Sequence, residues 1–173
     1  GRTTAGGGAD AGATVQEDRR ALATDERQLV SFVVDAQEYA FPIERVQEIV
    51  QVPDLVSQVP NTPAHVLGVM TLRNRLLPLV SLRHMFGLPH EQLNSQHRIV
   101  VVGLSEESHR RTDDVVGIVM DAVNEVLRVP TRLVDTLPTF LARGRDNADI
   151  EAICRLDDGK RLVSIVSVDH LFD

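Results

Sequence analysis

Residues 61–88, NTPAHVLGVMTLRNRLLPLVSLRHMFGL, constrain the fold more than any other stretch. Two apolar runs, 66–72 and 76–82, flank the polar trio Arg73, Asn74 and Arg75. That pattern predicts a strand, a tight turn and a returning strand. Asn74 falls at the tip, where a left-handed backbone is wanted and asparagine tolerates it. Ser81 is placed to cap a short helix over residues 82–86, whose first amides need an acceptor, and Gly87 is placed to end it.

The rest of the chain is read around this hairpin. Five glycines in the first twelve residues, followed by no sustained apolar period, predict a flexible tail or linker over 1–27 and a folded domain over 28–173. Residues 29–34 read as a buried strand, and a turn over 35–38 leads to a second strand ending near Pro42. Ile43, Val46, Ile49 and Val50 recur at helical spacing, which predicts a short helix across a sheet end. Pro53, Pro60 and Pro63 keep the next segment extended. Residues 98–104 and 115–121 are strands joined by the mixed-charge loop SEESHRRTDD. A short strand over 126–129 precedes Pro130, and 131–149 reads as irregular. Residues 150–156 alternate cleanly, Asp158-Gly159 predicts a hairpin turn, 162–168 returns, and Ser167 is placed to cap a last helix through Leu171 and Phe172. Short strands with brief helices make the chain mainly β, a barrel or sandwich. No repeat found in the sequence requires two barrels.

Composition removes several classes of function. A net charge of -7, six Phe and Tyr together and no Trp give no basic, aromatic platform for nucleic acid. Cys154 is the only cysteine, so it forms no internal disulfide, and its alternation with core positions makes it a buried small hydrophobe. His84, His90 and His97 have no paired carboxylate or cysteine at ligand spacing, so no metal is expected. There is no Gly-x-Ser-x-Gly elbow, and Gly6-Gly7-Gly8 lacks the Lys of a phosphate loop, so neither a cofactor nor enzymatic activity is expected. No apolar run approaches the roughly 20 residues of a membrane span, so no membrane insertion is expected. What is left is binding by surfaces.

Residues 61–83 resemble the signature of CheW, the adaptor that couples chemoreceptors to the histidine kinase CheA. Thr62, Pro63, Gly68, Val69, Leu72, Arg73, Pro78, Leu82 and Arg83 stand at matching places, whereas Thr71, Asn74 and Ser81 replace the usual Asn, Gly and Asp. The likeness continues through QLVSFVVDAQEYAFPIERVQEIV and VVGIVMDAVNEVLRVP, so that it covers 28–173. It implies two small five-stranded β-barrels packed side by side, with a hydrophobic seam and a groove between them. It also implies a non-enzymatic adaptor in the cytoplasm at membrane-attached receptor arrays. The implied partners are the regulatory domain of a CheA-type kinase, the cytoplasmic tip of chemoreceptors and other CheW-like domains. The glycine-rich start, without methionine, keeps a second reading open: a docking module of a larger protein, such as a ParP-like localisation factor, a CheV-like protein or a kinase tail.

The resemblance also names partner-binding positions, each with a structural alternative. Arg73 matches an arginine associated with receptor coupling, or it braces the hairpin. Gly68 admits the close approach of a partner, or it serves a bulge or backbone packing. Val46 and Glu48, on the expected helix and its exit, match partner contacts, or are a core residue and a solvated charge. Val123 and Val126 match a contact stretch of the second half, or are interior strand residues.

Overall fold

Runs such as RIVVVG, residues 98–103, have no polar face, and a strand of that composition is stable only when both of its faces are buried. The computed structural model describes residues 25–104, 115–138 and 149–172 and meets that requirement with three apolar clusters instead of one. Residues 1–24 of the expected tail, the loop 105–114 and residues 139–148 lie outside the described residues.

The strands are β1 (Glu26–Val34), β2 (Gln37–Pro42), β3 (Val46–Gln51), β4 (Val66–Leu72), β5 (Arg75–Ser81), β6 (Arg98–Gly103), β7 (Val115–Met120), β8 (Ala122–Pro130), β9 (Val134–Thr136), β10 (Ile150–Leu156) and β11 (Arg161–Val166). Two one-turn helices, α1 (Leu82–Met85) and α2 (Val168–Leu171), follow β5 and β11. One sheet has the order β8-β1-β2-β11-β10-β9 and the other β3-β6-β7-β5-β4. The ladders are therefore six- and five-stranded, two packed sheets of a mainly β fold as the resemblance implies, and among the described residues neither closes by hydrogen bonds between its end strands.

Leu29, Ala40, Val129, Cys154, Val163 and Ile165 fill the hollow of the larger sheet, and Leu77, Leu79, Ile99, Val101 and Val119 that of the smaller. The seam between the sheets takes the opposite faces of the same strands, with Phe32 and Phe41 from one side and Val100 and Ile118 from the other. Alternation thus sends Ile99 and Val101 inward and Val100 and Val102 to the seam.

Local chemistry sets the turns and caps. Leu72 pairs with Arg75, so the hairpin turn is the two residues Arg73 and Asn74, both at positive φ, 52° and 65°. Ser81 accepts from the His84 amide at 3.2 Å, and Ser167 accepts from the His170 amide at 3.3 Å, as the sequence predicts. Ser81→Ala is expected to cost about 1 kcal/mol in urea unfolding, the usual loss of a cap. Leu156 pairs with Arg161, so the loop expected at Asp158-Gly159 is four residues long.

The predicted helix at 43–50 is a correction. Only Ile43–Arg45 forms a 3₁₀ turn, and Val46–Gln51 is strand β3. Along β3 half-buried and exposed residues alternate, with Glu48 inward and Ile49 outward at 40% exposure. An apolar residue on the outer face imitated helical spacing. Residues 131–138 are also more regular than expected, with a 3₁₀ turn at Thr131–Leu133 before β9.

The register exposes a duplication that sequence reading missed. β3-β6-β7-β5-β4 and β8-β1-β2-β11-β10 share the pairing pattern antiparallel, antiparallel, parallel, antiparallel. Both first pairs bulge at the same place, Gln47 and Asn124 being the extra residues. Aligned on that bulge, residues 46–53 read VQEIVQVP and 123–130 read VNEVLRVP. Aligned on the caps, 80–86 read VSLRHMF and 166–172 read VSVDHLF. Two five-stranded units are therefore present, and β9 is the strand added to the second.

Candidate functional site

Each unit places a glutamate on its first strand and an arginine at its hairpin, and the two pairs differ in surroundings. In the first unit Arg73 is displayed at the β4–β5 turn, its side chain 73% exposed. Its Nη2 donates to Glu48 Oε1 at 2.7 Å and its Nε to Oε2 at 3.3 Å. β3 and β4 are the two ends of the five-stranded ladder, so this fork crosses the opening that backbone hydrogen bonds leave. The bond from Arg73 holds the Glu48 carboxyl below its usual range, and Glu48 in turn raises Arg73.

In the second unit the glutamate equivalent to Glu48 is Glu125, and it meets Arg161, which by register takes the place of Arg75 and not of Arg73 and sits at the rim of the hollow. Glu125 continues the face of Leu127 and Val129, and Arg161 that of Val163 and Ile165. Arg161 Nη2 donates to Glu125 at 3.0 Å and to Glu38 Oε2 at 2.6 Å, and its Nε donates to Glu38 Oε1 at 2.8 Å. Asn124 Nδ2 donates to Glu38 at 3.2 Å, and the buried Ser31 hydroxyl donates to the same carboxylate. Hydrogen bonds from Arg161 above all hold the Glu38 carboxyl down at about 2. This network is a polar plug at one end of the second core.

The other predicted positions separate. Val46 and Val123, equivalent across the duplication, both pack half-buried against the seam cluster. Val126 is 56% exposed on the outer face of β8, as its counterpart Ile49 is on β3. Gly68 is buried at a bulge of β4 with φ 148°, beneath Ser57, whose backbone exchanges two hydrogen bonds with Val69. Among the six positions the structure brings Arg73 and Glu48 into contact and sets Gly68 in the same hairpin.

Two features escaped the sequence. Leu55 and Leu76, 78% and 72% exposed, border a hollow of about 250 Å³ beside Met70 and Thr71. Residues 76–79, LLPL, carry no polar residue to mark their outer face, so alternation could not be read there. Glu91, His97 and Asp121 also converge, with ligand atoms within 4.8 Å of one another, a grouping without a local spacing signal. Cys154 is fully buried and its thiol is pushed up by desolvation, which keeps it an inert core residue. Among the described residues no helix is long and apolar enough to cross a membrane.

Fold and site together define a mainly β, duplicated binding module, with an arginine hairpin and exposed leucines on its first unit. Residues 28–173 match the family described as the CheW-like domain. The chemotaxis protein CheW of Helicobacter pylori is 34% identical over 164 residues, covering 94% of this chain and 88% of its own. A probable chemotaxis protein CheW of Rhizobium etli is 26% identical over 153 residues, covering 88% and 92%. The crystal structure of the scaffolding protein TtCheW from Thermoanaerobacter tengcongensis agrees with a TM-score of 0.71 at 25% identity, covering 85% of this chain and 92% of that one. The chain belongs to the CheW-like family.

Proposed function

We propose that this chain is a non-enzymatic chemotaxis adaptor that couples chemoreceptors to a CheA-type histidine kinase in a membrane-attached array. The observation that carries the reading is the family match across 28–173, which takes in both units and not merely the hairpin. The geometry supports it: the first unit displays Arg73 at the tip of the hairpin that also carries the exposed Leu76, with Leu55 on the same hollow as Leu76, while its interior is closed by packing. Exposed apolar side chains beside an arginine suit a protein partner, because apolar area supplies affinity and the guanidinium supplies orientation. Each contact can be modest, since an array raises effective concentration. The two partners are the kinase regulatory domain and the receptor's cytoplasmic tip.

Calorimetric titration of the chain into the isolated CheA regulatory domain from the same organism, and separately into a receptor-tip fragment, tests this. Saturable micromolar or tighter binding to both is expected. No heat with either folded partner would sink the adaptor reading. Arg73→Ala is expected to leave unfolding stability nearly unchanged, because an exposed ion pair is worth little. It is also expected to weaken partner binding by about tenfold. A collapse in melting with unchanged binding per folded molecule would make Arg73 a brace.

A further inference from the structure

His97 is 2% exposed, and its two ring nitrogens have different surroundings. Nδ1 accepts from the Asn94 amide at 3.0 Å, so Nδ1 carries a lone pair and the ring proton sits on Nε2. Nε2 makes no hydrogen bond to a protein group, and neither does the buried Asp121 Oδ1. Glu91 Oε1 stands 3.5 Å from Nε2, outside hydrogen-bond geometry. All three groups line a cavity of about 10 Å³ with Leu67, His90 and Leu93, room for one water-sized sphere.

Two occupants fit a histidine between two carboxylates, and the geometry separates them. A divalent cation needs a lone pair on Nε2, which moves the ring proton to Nδ1 and strips the Asn94 amide of its acceptor. It would also sit beside Arg83, 12% exposed, which already donates to Asp121 Oδ2 at 2.8 Å and stands 3.5 Å from Glu91 Oε2. The carboxylates thus have their cation. A water molecule has the opposite requirements. It accepts from Nε2–H and donates its two protons to Asp121 Oδ1 and Glu91 Oε1, and three hydrogen bonds are typical of a buried water.

We propose that the box formed by Glu91, His97 and Asp121 is a binding site for a single structural water and not for a metal ion. That water fastens the segment carrying Glu91 and His97 to Asp121, the residue at which the chain passes from β7 in one sheet to β8 in the other. Arg83 serves the same joint, donating to the Pro89 carbonyl at 3.1 Å and reaching Asp35 at 3.6 Å, while the Asp35 amide donates to Asp121 Oδ2 at 2.9 Å.

The test joins a crystal structure of the full chain with imidazole ¹⁵N spectra recorded before and after one equivalent of Zn²⁺. The expected result is one water within hydrogen-bond distance of Nε2 and Asp121 Oδ1, a protonated Nε2, and His97 signals that Zn²⁺ leaves in place. Glu91→Gln, which keeps an acceptor oxygen, is expected to retain the water, and Glu91→Leu to lose it. A Zn²⁺-dependent shift of Nε2, an anomalous scatterer in the box, or a direct Nε2–Glu91 hydrogen bond with no intervening density would each overturn the proposal.

Discussion

Arg161→Ala is expected to lower unfolding stability by about 2–4 kcal/mol, because it strands Glu38, whose side chain is 15% exposed, without its cation. The loss comes from the charge left behind more than from the bond removed. Replacing both partners, as Glu38→Leu with Arg161→Met, is therefore expected to recover most of it, since apolar residues of similar size continue the core of Ala40 and Val163. Urea unfolding followed by far-UV circular dichroism measures both, as the chain has no Trp and one Tyr. The same plug predicts a pH dependence. The Glu38 carboxyl lies at about 2 in the folded protein against 4.5 for the free group, so its contribution is fully present above pH 4.5 and is lost as pH falls toward 2. After allowance for screening this amounts to about 1–2 kcal/mol. Arg161→Ala should flatten that part of the stability profile. If the single variant keeps wild-type stability, the plug is not a stability element.

The contrast with Arg73 comes from the duplication. Glu48 and Glu125 occupy equivalent bulged positions, and each is paired with an arginine from its unit's hairpin. In the first unit water reaches the arginine and screens the pair, whereas in the second Glu38 joins it and the network closes the core. The same glutamate position therefore meets an arginine displayed at the turn in the first unit and, in the second, an arginine from the start of the returning strand that Glu38 draws to the rim of the core.

What could be read from the sequence follows from how local each signal is. The Arg73-Asn74 turn and the Ser81 and Ser167 caps were legible because three or four neighbouring residues fix them. β3 was misread because Ile49 faces outward, so the apolar spacing followed a surface patch instead of the core. The open ladders were not legible, since strand order depends on pairings such as Ser164 with Tyr39, far apart in the chain. The duplication was present in VQEIVQVP and VNEVLRVP, but strands of the second unit are drawn from both ends of the chain, which hides the period. Of the candidate site, Arg73 and Glu48 were named through family resemblance, and only the fold brought them into contact.

Gly68→Ala is expected to be among the most damaging single substitutions in the first unit, costing about 3 kcal/mol or more. Its φ of 148° lies where L side chains strain, and an added Cβ would overlap the Ser57 carbonyl oxygen and lie 2.9 Å from the carbonyl carbon. Backbone atoms cannot rotate away as a side-chain end can. The bridge in which the Ser57 amide donates to Val69 at 3.0 Å and the Val69 amide donates to Ser57 at 2.7 Å must then open. That releases the segment carrying Leu55, so partner binding should fall through loss of the hollow beside Leu76 and not through a contact made by Gly68 itself. The second unit supplies the control. Ala152 takes the equivalent place in β10, buried and without a positive φ, so a Cβ is accommodated there. Ala152→Gly should cost only about 1 kcal/mol, mainly through backbone entropy. Hydrogen exchange at the Ser57 and Val69 amides, with urea midpoints for both variants, distinguishes the cases. Unchanged protection and stability in Gly68→Ala, with binding lost, would return Gly68 to the partner surface.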